Sequence, residues 1–233
     1  MYIRCISSGS KGNAYLVSDG HSTLLIECGV RFEDIKKACN YETSSLSCVL
    51  ITHEHKDHCR SVKEVIKRGL EVYCTTGTAE ALGIENEYNV YHCNSDDRSS
   101  FVAGSFVISM FPTQHDAKDP CGFVITSSIT KEKLLYLTDS YYCRFTFNDL
   151  TDVMIECNYD NKTLFEGSHD QMFLMKRIIR SHMSLETCIE FLKSNNLSKV
   201  DGIHLIHLSD RNSDEQRINK KVAESTGKRV VVF

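Results

Sequence analysis

The segment Ile51–His58 reads ITHEHKDH and places three histidines and an aspartate within six residues. Histidine is otherwise sparse, with 10 in a chain of 233 residues, so this density needs a chemical reason. The first two residues of the segment end CVLIT (Cys48–Thr52), an apolar run that predicts a buried strand. Alternate residues of an extended chain project to the same side. The imidazoles of His53 and His55 are therefore expected to converge on one point.

The same segment continues with Asp57 and His58, where the chain is expected to turn into a helix and to face a second point nearby. Imidazole nitrogens and carboxylate oxygens are the groups that bind Zn²⁺ and similar divalent ions, at ~2.0–2.2 Å. A solvated loop is the ordinary interpretation of a single histidine. The pattern H-x-H-x-D-H after a hydrophobic strand instead favours a metal site.

Composition limits the class of protein. The chain is 41% hydrophobic and 25% charged, which is typical of a soluble globular protein. Its net charge of −4 argues against a protein that coats nucleic acid along its whole surface. The sequence has no apolar run near the ~18–20 residues of a membrane span and no signal peptide at its start, so we expect a cytoplasmic protein.

Its 11 cysteines are an odd number without a C-x-x-C pair, which favours reduced thiols used as small hydrophobic residues.

The order of predicted elements indicates a layered α/β fold. Strands are predicted at YIRCI, AYLV, TLLIE, CVLIT, EVYC, SFVISMF, GFVITSS, KLLYLTD, DVMIEC, GIHLIHL and RVVVF. Helices are predicted at RFEDIKKACN, HCRSVKEVIKRG, MSLETCIEFLKSN and SDEQRINKKVAEST. With 2 prolines and no low-complexity stretch, the sequence shows no linker. We therefore expect one domain over residues 1–233.

Three later residues strengthen the metal interpretation by their order. His115 lies in FPTQHDAKDPCGFVI, Asp139 in LLYLTDS and His207 in IHLIHLSDRN. Alone, each has an ordinary explanation, such as a loop histidine or a residue that caps a strand. When these three residues follow THEHKDH in this order, the pattern is that of a known family. The chain resembles the metallo-β-lactamase superfamily over nearly its whole length.

That resemblance implies a fold and a set of metal ligands. The fold is an αββα sandwich, with two mixed β-sheets face to face and helices on the outer faces. His53, His55 and His115 would hold one divalent ion, Asp57, His58 and His207 a second, and Asp139 would bridge both. The expected ions are zinc, with manganese as the alternative. Members of the family usually carry an aspartate where LLIECG has Glu27, so the longer side chain is expected to support the metal loop with altered geometry.

The reaction follows from the charge of such a site. Two divalent ions with two aspartates and a bridging hydroxide leave a net positive centre. This centre suits phosphodiester hydrolysis, in which negative charge grows in the transition state. Asp57 and His182 are the expected catalytic residues.

His182, in RSHMS, lies at the place where the similar transfer-RNA 3′-processing nucleases have a catalytic histidine. It is interpreted as a general acid or a phosphate-binding group, with a histidine near the start of a helix as the ordinary alternative. Glu156 is a candidate carboxylate partner that would keep it charged. In KRIIRSH, Lys176, Arg177 and Arg180 form a local basic cluster suited to phosphates, although a solvated helix face would also explain them.

SSGSKGNAYLV, LLIECG and THEHKDH together look like the YycJ/WalJ-type nucleases of this family. The leading hypothesis is therefore a dinuclear metal-dependent phosphodiesterase of nucleic acid, with an exonuclease as the preferred mode. Cleavage of cyclic nucleotides, as in the similar phage anti-Pycsar enzymes, is the first alternative. Thioester or lactam hydrolysis and a non-catalytic binding domain are weaker ones. DNA or RNA as substrate stays open, as does the oligomeric state, for which a homodimer is one option.

Overall fold

The computed structural model describes residues 1–97, 100–167 and 172–233. Their contacts divide the chain into two compact units. The first unit comprises Met1–Pro112 and Ala117–Lys131, and the second comprises Thr113–Asp116 and Glu132–Phe233. The expectation that residues 1–233 form one domain stays a prediction.

The first unit contains a six-stranded mixed sheet with its strands in chain order. They are β1 (Tyr2–Ser7), β2 (Ala14–Ser18), β3 (Thr23–Ile26), β4 (Leu46–Leu50), β5 (Val72–Thr75) and β6 (Val90–Cys93). The pairs β1–β2 and β2–β3 are antiparallel, and β3 to β6 are parallel. Because β3, β4 and β5 run in one direction, the loops that follow them begin at the same edge of the sheet.

Helices and a three-stranded meander complete this unit. The helices are α1 (Phe32–Ala38), α2 (Lys56–Cys59), α3 (Val62–Lys67) and α4 (Thr76–Leu82). The meander consists of β7 (Ser100–Ala103), β8 (Phe106–Pro112) and β9 (Cys121–Ser127), paired antiparallel in sequence order. A fully buried apolar core lies between the sheet and its helices, and it includes Leu25, Ile35, Val49, Ile51, Val65 and Val72.

The second unit contains four parallel strands in the order β13-β12-β11-β10. They are β10 (Lys133–Leu137), β11 (Asp152–Glu156), β12 (Gly202–Ile206) and β13 (Arg229–Val232). The helices are α5 (Asn161–Gly167), α6 (Met172–Ser181), α7 (Leu185–Ser194) and α8 (Glu215–Thr226). Every residue of β11 and β12 is buried, which explains their continuous apolar sequences: parallel strands inside a sheet are covered on both faces.

Local signals explain where several helices begin and end. The Ser184 hydroxyl accepts the Thr187 backbone N–H at the start of α7, and the Asp214 carboxylate accepts that of Arg217 at the start of α8. Gly227 ends α8 with a φ of 66°, a left-handed conformation that glycine adopts without a steric penalty. These signals are readable from the sequence.

All the predicted strands are present, but the helices differ in two ways. The segment HCRSVKEVIKRG was expected to be one helix, whereas the structure has α2 and α3 separated at Arg60–Ser61. The Ser61 hydroxyl donates a short hydrogen bond to the Val30 carbonyl, and its backbone N–H donates to the Cys28 carbonyl; these bonds take the place of helical ones. The helices α4, α5 and α6 and the strands β6 and β7 were not predicted. Of these, α4, α5, β6 and β7 are short and half exposed. No helix within the described parts of the chain has the length and apolarity needed to cross a membrane.

The 11 cysteines, all at described positions, carry free thiols. Burial raises the pKa of Cys59 to about 12 and that of Cys28 well above its usual range, so neither is a thiolate at neutral pH. The Cys59 thiol donates to the Glu54 and His55 carbonyls of the metal-binding motif. These cysteines pack as small hydrophobic groups, as the sequence predicted.

Candidate metal centre

The motif His53–His58 leaves the buried end of β4 and turns into α2. The rings of His53 and His55 lie edge to face with their centroids 4.7 Å apart, and the ring of His58 lies 4.2 Å from that of His53. Nε2 of His58 is 3.5 Å from a carboxylate oxygen of Asp57. The four side chains therefore converge within the first unit, as the alternation of extended chain predicts for His53 and His55.

Glu27 orients two of these histidines, one directly and one through Thr52. The Thr52 hydroxyl donates to Glu27 at 2.5 Å and lies 2.9 Å from Nδ1 of His53. With its own proton directed at Glu27, the hydroxyl accepts from Nδ1 of His53, which leaves Nε2 of that ring as the metal-binding atom. Nδ1 of His58 lies 3.2 Å from the same carboxylate.

The backbone at Glu27 explains how the longer carboxylate fits. Glu27 follows β3 directly and has a φ of 61°, a left-handed conformation that is uncommon for a residue with a side chain. The side chain is fully buried. Burial raises the pKa of its carboxyl, while His58 and Thr52 act in the opposite direction. Glu27 thus contacts His58 and, through Thr52, His53.

A second group of residues holds the backbone at Asp57 and His58. The backbone N–H of Asn13 donates to the Asp57 carbonyl at 2.7 Å, and that of Cys28 donates to the His58 carbonyl at 2.8 Å. The Asn13 side chain is fully buried and lies 3.2 Å from Nε2 of His58. A Cβ on Gly29 would lie 1.6 Å from the Asp57 carbonyl oxygen, so only glycine fits there.

Asn13 and Gly29 were not among the residues predicted for the site. Their segments, SSGSKGNAYLV and LLIECG, contributed only to the resemblance to the YycJ/WalJ-type nucleases. The signal that could have identified them is the glycine beside Glu27 in LLIECG together with the glycines of SSGSKGN, because glycines beside a metal motif often mark a close approach of backbones.

In the second unit, His115 is oriented by a backbone carbonyl from a segment distant in sequence. Nδ1 of His115 lies 2.8 Å from the Ser181 carbonyl. A carbonyl only accepts, so Nδ1 carries the proton and Nε2 is free of it. That Nε2 is 3.5 Å from a carboxylate oxygen of Asp139. Burial lowers the pKa of the His115 imidazole, although Asp139 opposes it, and the neutral ring is the form that binds metal.

Asp139 and His207 come from the carboxyl-terminal ends of β10 and β12, the two strands that flank β11. Asp139 lies two residues beyond β10 with a φ of 45°, and His207 lies directly after β12 with a φ of 54°. Asp139 Oδ1 is 3.4 Å from Nδ1 of His207. Left-handed backbone at residues with side chains is strained, and such strain is concentrated at functional sites.

His182 is held between these residues and Glu156, the last residue of β11. Nδ1 of His182 lies 2.7 Å from Glu156, and the ring stacks on that of His207 with centroids 5.4 Å apart. Ligand-type atoms of Asp139, Glu156, His182 and His207 lie within 4.8 Å of one another. The pairing of His182 with Glu156 proposed from the sequence is present.

The electrostatics of the pair favour a charged imidazole. Burial alone would raise the pKa of the Glu156 carboxyl, but the His182 charge and the hydrogen bonds from His182 and His207 lower it. Burial alone would lower the pKa of His182, but the charge of Glu156 and its hydrogen bond raise it. Glu156 also accepts backbone N–H groups of Ser140 and Met183, which fixes its orientation.

The basic cluster lies on α6, whose last residue provides the carbonyl that orients His115. Lys176, Arg177 and Arg180 are exposed. Nε of Arg177 is 3.8 Å from a carboxylate oxygen of Asp116, which directly follows His115. One basic side chain is therefore adjacent to a candidate metal ligand.

The donor groups fit divalent ions. Each unit offers imidazoles and a carboxylate together with hydrogen-bond partners that orient them. Buried hydrogen-bond partners behind the histidines are typical of metal sites. In the first unit the oriented atom of His53 is Nε2, and in the second that of His115 is Nε2.

A family comparison agrees with this chemistry. Residues 23–205 match the family described as the β-lactamase superfamily domain. The chain belongs to this superfamily. The match covers the H-x-H-x-D-H motif, His115, Asp139 and His182, and it ends two residues before His207.

Relatives and solved structures agree with the assignment. The chain is 26% identical over 224 residues to the exodeoxyribonuclease WalJ of Streptococcus pneumoniae, covering 89% of this chain and 81% of the relative. It is 23% identical over 241 residues to the exodeoxyribonuclease YycJ of Bacillus anthracis, covering 96% and 88%.

Among solved structures, the metallo-β-lactamase fold protein YhfI of Bacillus subtilis matches with a TM-score of 0.75 at 18% identity, covering 99% of this chain and 95% of that one. Human tRNase Z, short form, matches with a TM-score of 0.64 at 14% identity, covering 100% and 96%. The predicted superfamily and fold, two mixed β-sheets with helices, are confirmed. The class that the sequence predicted, a metal-dependent hydrolase, is confirmed with them.

Proposed function

We propose that this protein is a dinuclear metal-dependent phosphodiesterase that degrades nucleic acid from an end. The relatives named exodeoxyribonucleases support this substrate, and they favour DNA. In this proposal two zinc ions, with manganese as the alternative, are held by His53, His55, Asp57, His58, His115, Asp139 and His207.

The observation that carries the proposal is the contact between His182 and Glu156 beside Asp139 and His207. A phosphodiester releases an alkoxide, which is a poor leaving group unless it receives a proton. His182 is fixed at 2.7 Å from a buried carboxylate that raises its pKa, which favours the charged form that can donate this proton.

When bound, two divalent ions activate the attacking water and stabilise charge on the phosphoryl oxygens. The other steps fall to the residues of the chain. As the water oxygen bonds to phosphorus, it gives up one proton to solvent. The bond from phosphorus to the leaving oxygen breaks, and that oxygen takes the proton of His182. Glu156 holds the imidazole in position, and Glu27 and Thr52 hold His53 and His58 in their metal-binding tautomers.

The basic residues of α6 are proposed to bind phosphates of the substrate strand. Arg177 lies beside Asp116, next to His115, while Lys176 and Arg180 are exposed on the same helix. Arginine and lysine contribute to nucleic-acid affinity by releasing counterions, which makes binding dependent on salt. A mononucleotide offers too few phosphates to use all three.

The test compares a labelled oligonucleotide with cyclic AMP and cyclic GMP, for metal-loaded wild type and for the variant Lys176→Ala/Arg177→Ala/Arg180→Ala. We expect wild type to shorten the oligonucleotide progressively. The variant should bind the oligonucleotide more weakly. The slope of the logarithm of its binding constant against the logarithm of salt concentration should fall in magnitude by about 0.7 for each phosphate of the single strand that it no longer neutralises.

The matched control is Lys193→Ala/Lys220→Ala/Lys221→Ala, which removes the same charge from exposed positions on α7 and α8. It should retain the wild-type salt slope. If cyclic nucleotides are hydrolysed faster than the oligonucleotide and the α6 variant behaves as wild type, the cyclic-nucleotide alternative replaces the nuclease proposal.

A further inference from the structure

The loop between β10 and β11, residues 138–151, is long and rich in aromatic residues. It has no regular secondary structure and includes Tyr141, Tyr142, Phe145 and Phe147. Long irregular loops in compact proteins are often functional. Its second half is anchored, since the Phe147 ring packs against Phe191 and its backbone N–H donates to Asn195. Its first half carries Asp139.

Tyr141 and Tyr142 are exposed by 43% and 54%. They are the one pair of consecutive residues among the large exposed hydrophobic side chains in the described parts of the chain. A single exposed aromatic is ordinary, but two adjacent rings keep a considerable apolar surface in water. This pair of rings therefore suits a ligand with flat apolar faces.

The backbone beneath these rings is fixed to the candidate metal ligands of the same unit. The Tyr141 N–H donates to the Gln114 carbonyl at 3.2 Å, directly before His115. The buried Ser140 hydroxyl accepts the Gln114 N–H at 2.9 Å and donates to the Tyr142 carbonyl at 2.7 Å. The Ser140 N–H donates to Glu156 at 3.0 Å. The tyrosines are thus held on a backbone connected to Asp139, His115 and the partner of His182.

We infer that Tyr141 and Tyr142 form a stacking platform for the nucleobases next to the scissile phosphodiester, and that the substrate is a single-stranded end. This inference rests on the proposed function. Aromatic side chains stack on bases of any sequence, whereas the base faces inside a duplex are covered by their neighbours. The exposed guanidinium of Arg144, two residues beyond the pair, adds a positive charge for the backbone of the same strand.

The first test changes the protein. Steady-state kinetics are measured on a single-stranded oligonucleotide for wild type, Tyr141→Ala/Tyr142→Ala and Tyr141→Phe/Tyr142→Phe. The alanine variant should show KM raised by about 5- to 100-fold, the range expected for loss of base stacking. The phenylalanine variant should remain within about twofold of wild type, because its rings still stack. The metal content of both variants should equal that of wild type, because neither tyrosine is a candidate metal ligand.

Tyr88→Ala is the control, since Tyr88 is 80% exposed and precedes β6. It therefore lies at the edge of the parallel strands opposite to the one from which His53 and His55 emerge. It should behave as wild type. An alanine variant with wild-type KM would overturn the platform. So would a phenylalanine variant as impaired as the alanine variant, or a higher KM that accompanies loss of metal.

The second test changes the substrate and needs no variant. Wild type should bind an oligonucleotide with two abasic sites at the cleaved end more weakly than the complete strand, and a blunt duplex should be cut more slowly than the single strand. Equal kinetics on complete and abasic ends would contradict the inference. If wild type cleaves no oligonucleotide at all, the proposed function itself fails. If wild type cleaves complete and abasic strands equally well, and the alanine variant cleaves as wild type does, only the stacking platform is overturned.

Discussion

The two units provide their candidate ligands in different ways. In the first, His53, His55, Asp57 and His58 lie within six residues of one loop, so their spacing in sequence already brings them together. In the second, Asp139 and His207 follow different strands, and His115 and His182 lie in loops far apart in sequence. The first arrangement depends on the conformation of one short segment, and the second depends on the parallel order of β10, β11 and β12.

The supporting contacts differ correspondingly. The loop of the first unit is held by backbone contacts with Asn13 and Gly29 and by the buried Glu27. The second unit uses left-handed backbone at Asp139 and His207 and a buried carboxylate, Glu156, that contacts His182. We therefore expect changes in the first unit to act mainly through metal binding, and changes around His182 mainly through proton transfer.

The largest effect is expected from His182→Ala, which separates proton transfer from metal binding. The variant should retain its metals but lose about 10²- to 10⁴-fold in rate on an oligonucleotide, whose leaving oxygen needs a proton. Bis-p-nitrophenyl phosphate, with a leaving group that needs none, should be affected much less. Kinetics on both substrates and elemental analysis check this, with His21→Ala as a control for loss of an exposed histidine. Equal losses on both substrates would mean that His182 binds phosphate or shapes the site.

Gly29→Ala should displace the backbone of the loop His53–His58 and so weaken metal binding. Its new Cβ would overlap the Asp57 carbonyl oxygen, so the Asp57–His58 backbone must move. We expect metal affinity to fall by about 100-fold, at the upper end of the losses seen when groups that orient ligands are disturbed. Titration with zinc in a competing chelator measures this. Gly83→Ala meets open space at the end of α4 and should keep wild-type affinity; if both variants behave alike, the close approach at Gly29 does not control the metal loop.

Glu27→Gln is a milder change in the same unit. Glutamine keeps the shape and one acceptor oxygen, but it removes the negative charge beside Nδ1 of His58. It also turns an NH₂ donor toward the Thr52 backbone N–H, which Oε2 of Glu27 accepts at 3.4 Å. A fall of about 10-fold in metal affinity is expected. The same zinc titration detects it, with the exposed Glu42→Gln as the charge-matched control. An unchanged affinity would show that Glu27 does not orient His53 or His58.

Glu156→Gln gives the most limited effect, a change in pH dependence. Glu156 raises the pKa of His182, so the proton-donating form persists to higher pH and the rate declines as pH rises through that raised pKa. Without the carboxylate charge, this decline should begin at lower pH. Rate profiles for metal-loaded protein on an oligonucleotide test the sign. A decline at unchanged or higher pH would contradict the role of Glu156.

The sequence predicted the site residues unequally well, for a physical reason. The loop His53–His58 was recognisable because ligands spaced by two residues on extended chain converge without help from other elements. His115, Asp139 and His207 gained weight only from their order along the chain and from family resemblance. Asn13 and Gly29 were missed because their role is to contact the backbone of a loop more than 25 residues away in sequence.

The sequence by itself determined the superfamily, most strands of both sheets and the chemical type of the candidate ligands, because strand patterns and ligand spacing are local properties. Only the tertiary structure decided the pairing of Glu156 with His182, the orientation of His115 by the Ser181 carbonyl and the connection of Tyr141 to the segment before His115. These contacts join segments that are distant in sequence. They exist because parallel strands bring their carboxyl-terminal ends to one edge of a sheet, and no local pattern of residues encodes that arrangement.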